Sequence, residues 1–255
     1  MNSLIACAPC CWGVESATNV HNPSWNTVIL ESKVAGYQGI ELGPFGYMPL
    51  EGEFVNTATK ENGLVICAGT LFEPLSSLEH KEDILRRTHD LCSMLQRIGS
   101  KKLVVIDCVN DVRSACAGLS DEAPRLDNQL WDTMMQTIRD IAVIAKHYEI
   151  RPVVHPHAGG YIEYRDEIDR MLAGLTSEEV GLCLDTGHLY YAGMDPAGSL
   201  IAYASRLEYV HFKDINHAVF SGVIKAKVGF WEACAQGVMC PIGEGVINYA
   251  EVQLA

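Results

Sequence analysis

Basic side chains are scarce in this chain. Its 255 residues carry 19 lysines and arginines against 32 aspartates and glutamates, a formal net charge of −13. The basic residues are scattered, and Arg86-Arg87 and Lys101-Lys102 are only doublets that suit solvated helix faces and ends. A nucleic-acid binder gathers lysine and arginine on one face, so this balance argues against nucleic acid as a partner. Long apolar runs are lacking too: no segment approaches the roughly 20 apolar residues that span a bilayer. Leu4–Val14 is apolar but short, contains Pro9 and Gly13 and follows no positive region, so it reads as a first strand and turn rather than a signal peptide. The first strand is not followed by Gly-x-Gly-x-x-Gly, and there is no Walker A sequence, which argues against dinucleotide or nucleoside triphosphate binding. The ten cysteines lack framework spacing. Cys7-Ala-Pro-Cys10 has neither a second pair for a zinc cluster nor a thioredoxin-like context, so reduced, buried thiols are expected. These absences predict a soluble cytoplasmic protein without a membrane partner.

What is present is a repeating pattern. Seven apolar segments read as strands: Leu4–Ala8, Gly39–Leu42, Leu64–Ala68, Lys102–Ile106, Arg151–His155, Val180–Leu184 and Leu207–His211. Between them, apolar residues at i, i+3 and i+4 predict helices at Trp25–Ala35, Leu78–Ile98, Leu130–His147, Asp166–Leu172 and Ala197–Ser205. Ser76 or Ser77 would cap the second of these, Asp127 or Asn128 the third, and Asp195-Pro196 the last. Alternating strands and helices imply a parallel sheet, and seven units favour a (β/α)8 TIM barrel over a doubly wound open sheet. No linker or low-complexity stretch marks a boundary, so residues 1–255 are expected to form a single TIM-barrel domain. The count stops at seven: after Asp214 come a helical or irregular stretch near Ser221–Gln236 and a last helix, with the eighth strand missing and the barrel C-terminally incomplete.

Three of the strands end in residues that can do chemistry. His155, Asp185 and His211 terminate successive strands and lie 30 and then 26 residues apart, the length of one strand-plus-helix unit. In a barrel of this kind such positions face a common mouth. They are the candidate metal ligands. Imidazole and carboxylate together suit a divalent ion, manganese first, with Co²⁺, Zn²⁺ and Fe²⁺ as alternatives, and no thiolate is expected at the cluster. The ion would polarise a substrate carbonyl or hydroxyl. His157 is a candidate acid/base, His188 would orient the site or touch substrate, and Lys213, partnered by Asp214, would neutralise developing charge. Trp12, Glu41, Asp107 and Glu163 are candidate substrate-facing residues, each with a structural alternative: core packing for Trp12, polar support for Glu41.

The chain resembles the xylose isomerase-like barrel superfamily of sugar isomerases, epimerases and dehydratases. The resemblance runs through Ala6-Cys7-Ala8-Pro9 with Trp12-Gly13, then Ala35–Gly43, Asp185-Thr186-Gly187-His188 and His211-Phe212-Lys213-Asp214. His155-Pro156-His157-Ala158-Gly159-Gly160-Tyr161-Ile162-Glu163 looks most like the corresponding loop of inosose (2-keto-myo-inositol) dehydratases. The resemblance implies a metal site in which Asp185 and His211 match ligands and His155 stands where the epimerases carry a glutamate. It also implies a last glutamate ligand on an eighth strand. A histidine in place of that first glutamate puts a two-glutamate epimerisation in doubt, whereas dehydration needs only one α-proton abstraction and acid-assisted loss of a β-hydroxyl.

The leading expectation is therefore a metal-dependent lyase that dehydrates a keto-polyol of the inosose kind. A ketose isomerase or epimerase is the runner-up, and an endonuclease IV type of barrel is disfavoured by the charge. The alternative of another class is a non-catalytic or inactive truncated sugar-binding barrel. A homo-oligomer stays open, because a strand swapped from a second copy would complete the site.

Overall fold

The computed structural model describes residues 4–255. The strands are β1 Ala6–Cys7, β2 Gly39–Ile40, β3 Val65–Ile66, β4 Ala68–Glu73, β5 Lys102–Asp107, β6 Arg151–Val154, β7 Gly181–Asp185, β8 Leu207–His211, β9 Asp214–Ile215 and β10 Met239–Cys240. The longer helices are α1 Trp25–Val34, α2 Glu53–Glu61, α3 Lys81–Ile98, α4 Asn128–His147, α5 Arg165–Gly174 and α6 Thr186–Tyr191, followed by α7 Pro196–Ala202, α8 His217–Ala226 and α9 Phe230–Ala235. All seven expected strands are there, and four of the five expected helices start within two residues of their sequence positions. The third strand is broken at Cys67 into β3 and β4, and α2 is a helix that the sequence pattern does not single out.

The local chemistry explains most boundaries. Ser24 Oγ accepts the Thr27 amide at 3.2 Å and caps α1. Asp127 Oδ1 accepts the Leu130 amide at 2.8 Å at the start of α4, as expected. The serine cap expected for α3 is a correction. Ser77 instead closes a turn through its amide to Pro74 O at 3.0 Å, and the helix begins only at Lys81. The buried stripe of α3 (Ile84, Leu91, Met94, Leu95) keeps helical spacing, and Gly99 ends it at φ 83°, a conformation that costs glycine least.

Two compact units make up the chain, each assembled from separate segments. The first comprises the chain up to Phe72 with Glu79–Val105 and Asp140–Pro152. It holds the parallel sheet β1-β2-β3, with Ala6 opposite Gly39 and Gly39 opposite Val65. The second comprises Glu73–Leu78, Ile106–Arg139 and Val153–Ala255. In it Val153 and Val154 pair with Gly181 and Leu182, and β7 pairs in parallel with β8 so that Asp185 lies beside His211. Strands follow one another in sequence within the sheets β1-β2-β3 and β4-β5-β6-β7-β8. Among the described residues no eighth parallel strand follows β8. Instead β9 pairs antiparallel with β10, Asp214 opposite Cys240.

That last strand pair is organised by one carboxylate. Asp214 Oδ1 accepts the Ile215 and Ile247 amides at 2.9 and 3.0 Å, and Oδ2 accepts those of Gly243 and Gly245 at 2.9 and 3.1 Å. Burial pushes this carboxyl up, but the four N–H groups hold it below its ordinary value. Gly245 is required here, because a Cβ would lie 2.1 Å from Asp214 Oδ1. Asp214→Ala strands four backbone donors, and a loss of about 3 kcal/mol in urea unfolding is expected from their desolvation. A loss below about 1 kcal/mol would show that water replaces the carboxylate.

Candidate functional site

The site builds on the ends of β6, β7 and β8, all in the second unit. Side chains alternate along a strand, so Cys183 and Asp185 share one face of β7, and Tyr209 and His211 share one face of β8. His155 follows β6 directly. Asp185 Oδ2 is the meeting point: His155 Nε2 lies 3.5 Å away, His211 Nδ1 3.8 Å, and the Lys213 ammonium is bound to the same oxygen. Oδ1 is used differently, accepting the Gly187 and His188 amides at 2.9 and 3.1 Å and so capping α6. Burial opposes the charge on Asp185, yet Lys213 and then His188 and His155 keep it ionised well below the ordinary carboxylate range.

Lys213 is thus the partner of Asp185. The expected pairing with Asp214 is corrected, since that carboxylate is spent on four backbone amides. The Lys213 backbone is held as well. Its amide donates to Thr186 Oγ1 at 3.0 Å, and its carbonyl accepts from Thr186 Oγ1 at 2.8 Å and from Tyr249 Oη at 2.9 Å.

The two further histidines join the cluster. His157 and His188 are buried, with ring centroids 3.9 Å apart at 37°, and the His155 ring lies 5.7 and 5.3 Å from them. Burial pushes all three rings toward the neutral form, His157 and His188 furthest. Phe230 packs 5.3 Å from His157 and 5.5 Å from His188, and Trp231, 41% exposed, lies 6.4 Å from His157. Sequence reasoning misses these two aromatics. The one signal they offer is an aromatic pair in a stretch without strand character.

The donor set fits a divalent metal. His155 Nδ1 is buried without a hydrogen-bond partner, an arrangement that leaves a polar atom for a ligand to satisfy. Donor atoms of His155, Asp185 and His188 lie within 4.8 Å of one another, as do those of His155, Cys183 and His211. The second grouping corrects the expectation of no thiol: a period of two brings Cys183 to the same face as Asp185.

The other expected site residues are placed as follows. Asp107 ends β5 and spends both oxygens on backbone amides, Leu75 at 3.1 Å and Tyr161 at 2.7 Å, while burial pushes its carboxyl up to about 6. Glu163 accepts the Gly118 and Gly159 amides at 2.8 and 2.9 Å and faces Arg113, with burial raising it to about 7. Arg113, fully buried, grips Glu167 through both terminal nitrogens and lies over the Tyr164 and Tyr161 rings. Asp107, Glu163 and Arg113 therefore tie down the segment that carries His157. Trp12 and Glu41 belong to the first unit. Trp12 Nε1 donates to Glu31, and Glu41, buried, accepts from Thr70 Oγ1 at 3.4 Å.

Parallel strands whose C-terminal ends carry the candidate site are the arrangement of α/β enzymes, barrels and open sheets alike. The family described as Xylose isomerase-like TIM barrel matches residues 30–253, and the chain belongs to it. The inosose dehydratase of Bacillus velezensis is 28% identical over 219 residues, which span 86% of this chain and 72% of that one. The structure of the probable 3-DHS dehydratase AsbF of Bacillus anthracis has a TM-score of 0.72 at 15% identity, covering 99% of this chain and 88% of that one. The zinc-bound IolI protein has a TM-score of 0.70 at 12% identity, covering 97% and 82%. These structural likenesses show the TIM-barrel fold. Curated relatives are named as dehydratases, and an L-ribulose 3-epimerase is among the structural neighbours. No helix among the described residues is long and apolar enough to cross a membrane.

Proposed function

We propose that this chain is a metal-dependent lyase that removes water from a keto-polyol of the inosose type. The observation that carries the reading is the convergence of His155 and His211 on one Asp185 oxygen, with His157, His188 and Lys213 around them. The likeness to inosose dehydratases supports the substrate class. His155, Asp185 and His211 would hold the divalent ion, which when bound supplies polarisation of the substrate carbonyl. His157 takes the α-proton. Lys213, already poised on Asp185, balances negative charge as the enediolate develops. Phe230 and Trp231 shield one side of the histidines from water and offer an apolar face to the ring carbons of a polyol.

Elemental analysis of the purified full-length chain is expected to find about one divalent ion per chain, because the two donor groups share His155. With metal, 2-keto-myo-inositol is expected to lose about 18 mass units as water is eliminated, and chelation is expected to stop the reaction by removing the ion. A product of unchanged mass, altered only in stereochemistry or carbonyl position, would assign the chain to the isomerases and epimerases instead. Unchanged substrates in the metal-loaded protein would refute the lyase.

A further inference from the structure

Cys183 stands two residues before Asp185 on β7, so the two side chains share one face of the sheet. A histidine flanks that face on either side. Val153 and Val154 pair with Gly181 and Leu182, and the next step of that register sets His155 beside Cys183. On the other side the register shifts between Leu182 and Cys183. Leu182 lies opposite Leu207, but Cys183 lies opposite Tyr209 and Asp185 opposite His211. Unshifted pairing would set Val210 beside Asp185 and turn His211 to the opposite face. The extra residue on β8 therefore brings His211 to the face that carries Cys183 and Asp185.

The result is a set of donor atoms from His155, Cys183 and His211 that lie within 4.8 Å of one another. Cys183 and His155 are buried, and the His155 ring keeps one nitrogen, Nδ1, without a hydrogen-bond partner. Charge gives the thiol its part. Asp185 Oδ1 accepts two backbone amides, and Oδ2 binds the Lys213 ammonium, which matches the single negative charge of the carboxylate. A divalent ion held by this carboxylate and two imidazoles would leave two positive charges uncompensated in a buried site, which desolvation penalises. A thiolate ligand removes one of them.

We propose that Cys183 is a ligand of the divalent ion, joining His155, His211 and Asp185, and that the site thereby selects zinc over manganese. The assignment rests on the metal site of the reading above and adds sulfur to its nitrogen and oxygen donors. Soft thiolate favours zinc, whereas manganese suits carboxylate, carbonyl and water. Coordination exchanges the S–H bond for a sulfur–metal bond, and the proton leaves to solvent.

Zinc X-ray absorption on the metal-loaded full-length chain reads the ligand atoms directly. One sulfur at about 2.3 Å is expected beside nitrogen and oxygen at about 2.0–2.2 Å. A shell of nitrogen and oxygen alone overturns the proposal. Cobalt substitution gives a second readout. Visible d–d bands report a bound ion whatever its ligands, and a near-ultraviolet charge-transfer band reports a sulfur–cobalt bond. The wild type is expected to show both. Cys183→Ala is expected to keep the d–d bands and lose the charge-transfer band, while Cys10→Ser and Cys11→Ser, at two exposed cysteines, keep both. A charge-transfer band that survives Cys183→Ala assigns the sulfur to another cysteine and overturns the proposal. Wild-type d–d bands without charge transfer overturn the sulfur ligand alone and leave the metal site standing. No cobalt bands at all refute the metal site and the ligand with it. In competition titrations, Cys183→Ala is expected to weaken zinc about 100-fold or more and manganese less than about 10-fold. Equal losses for the two ions overturn the selectivity. If Cys183→Ala does not fold, the wild-type zinc spectrum decides by itself.

Discussion

Asp185→Asn is expected to leave the protein folded and to lower turnover about 10³-fold, equivalent to about 4 kcal/mol of transition-state stabilisation. Asparagine keeps an oxygen in the place of Oδ1, so the Gly187 and His188 amides retain their cap and α6 its start. What disappears is the charge at Oδ2, where His155, His211 and Lys213 meet. The divalent ion loses its only carboxylate among the three proposed ligands, and the Lys213 ammonium loses its partner. The check is twofold: metal content by elemental analysis and kcat on the keto-polyol, with circular dichroism confirming the fold. Retention of both metal and activity would remove Asp185 from the centre of the site.

Arg113→Ala is expected to be the most destabilising single substitution in the second unit, at about 3–5 kcal/mol, the usual cost of breaking a buried ion pair from one side. The guanidinium donates to Glu167 Oε1 and Oε2 at 2.5 and 3.0 Å, to Pro124 O at 3.0 Å, and lies 3.4 Å from Glu163 Oε2. Its loss leaves Glu163 without its cation and Glu167 with only the partly exposed Arg125, 3.3 Å away. Urea denaturation measures the effect directly. Arg113→Met combined with Glu163→Gln and Glu167→Gln is expected to recover part of the stability, because no charge then remains unpaired. Activity is expected to fall in Arg113→Ala even under folding conditions, since Glu163 holds the Gly159 amide in the segment that carries His157. A loss smaller than about 1 kcal/mol would mean that water enters and solvates both glutamates.

Much of the site is legible in the amino-acid order. The apolar runs ending in His155, Asp185 and His211 form β6 with its following residue, β7 and β8, and the register sets Asp185 beside His211. The helices whose apolar residues recur at helical spacing fall near their expected limits. Lys213 stands out in the sequence as a charged group, but its partner does not. Sequence adjacency favours Asp214, whereas the connection between β8 and β9 brings Lys213 to Asp185 and buries Asp214 among backbone amides. Arg113 gives no signal, because a lone arginine in a polar stretch looks solvated until two glutamates about fifty residues away close around it. Cys183 reads as packing, although the alternation that places Asp185 in the site places Cys183 on the same face.

The order of strands and helices, the strand ends that carry chemistry and the residue types available there are all written locally. They depend on periodicity and punctuation, which each segment carries in its own few residues. Pairing is different, and it is settled by the folded chain alone: Lys213 with Asp185, Arg113 with Glu163 and Glu167, and the Ala158 backbone with two histidine rings. Such contacts join residues that the chain separates, and their hydrogen bonds are chosen by burial, which leaves each donor and acceptor few partners.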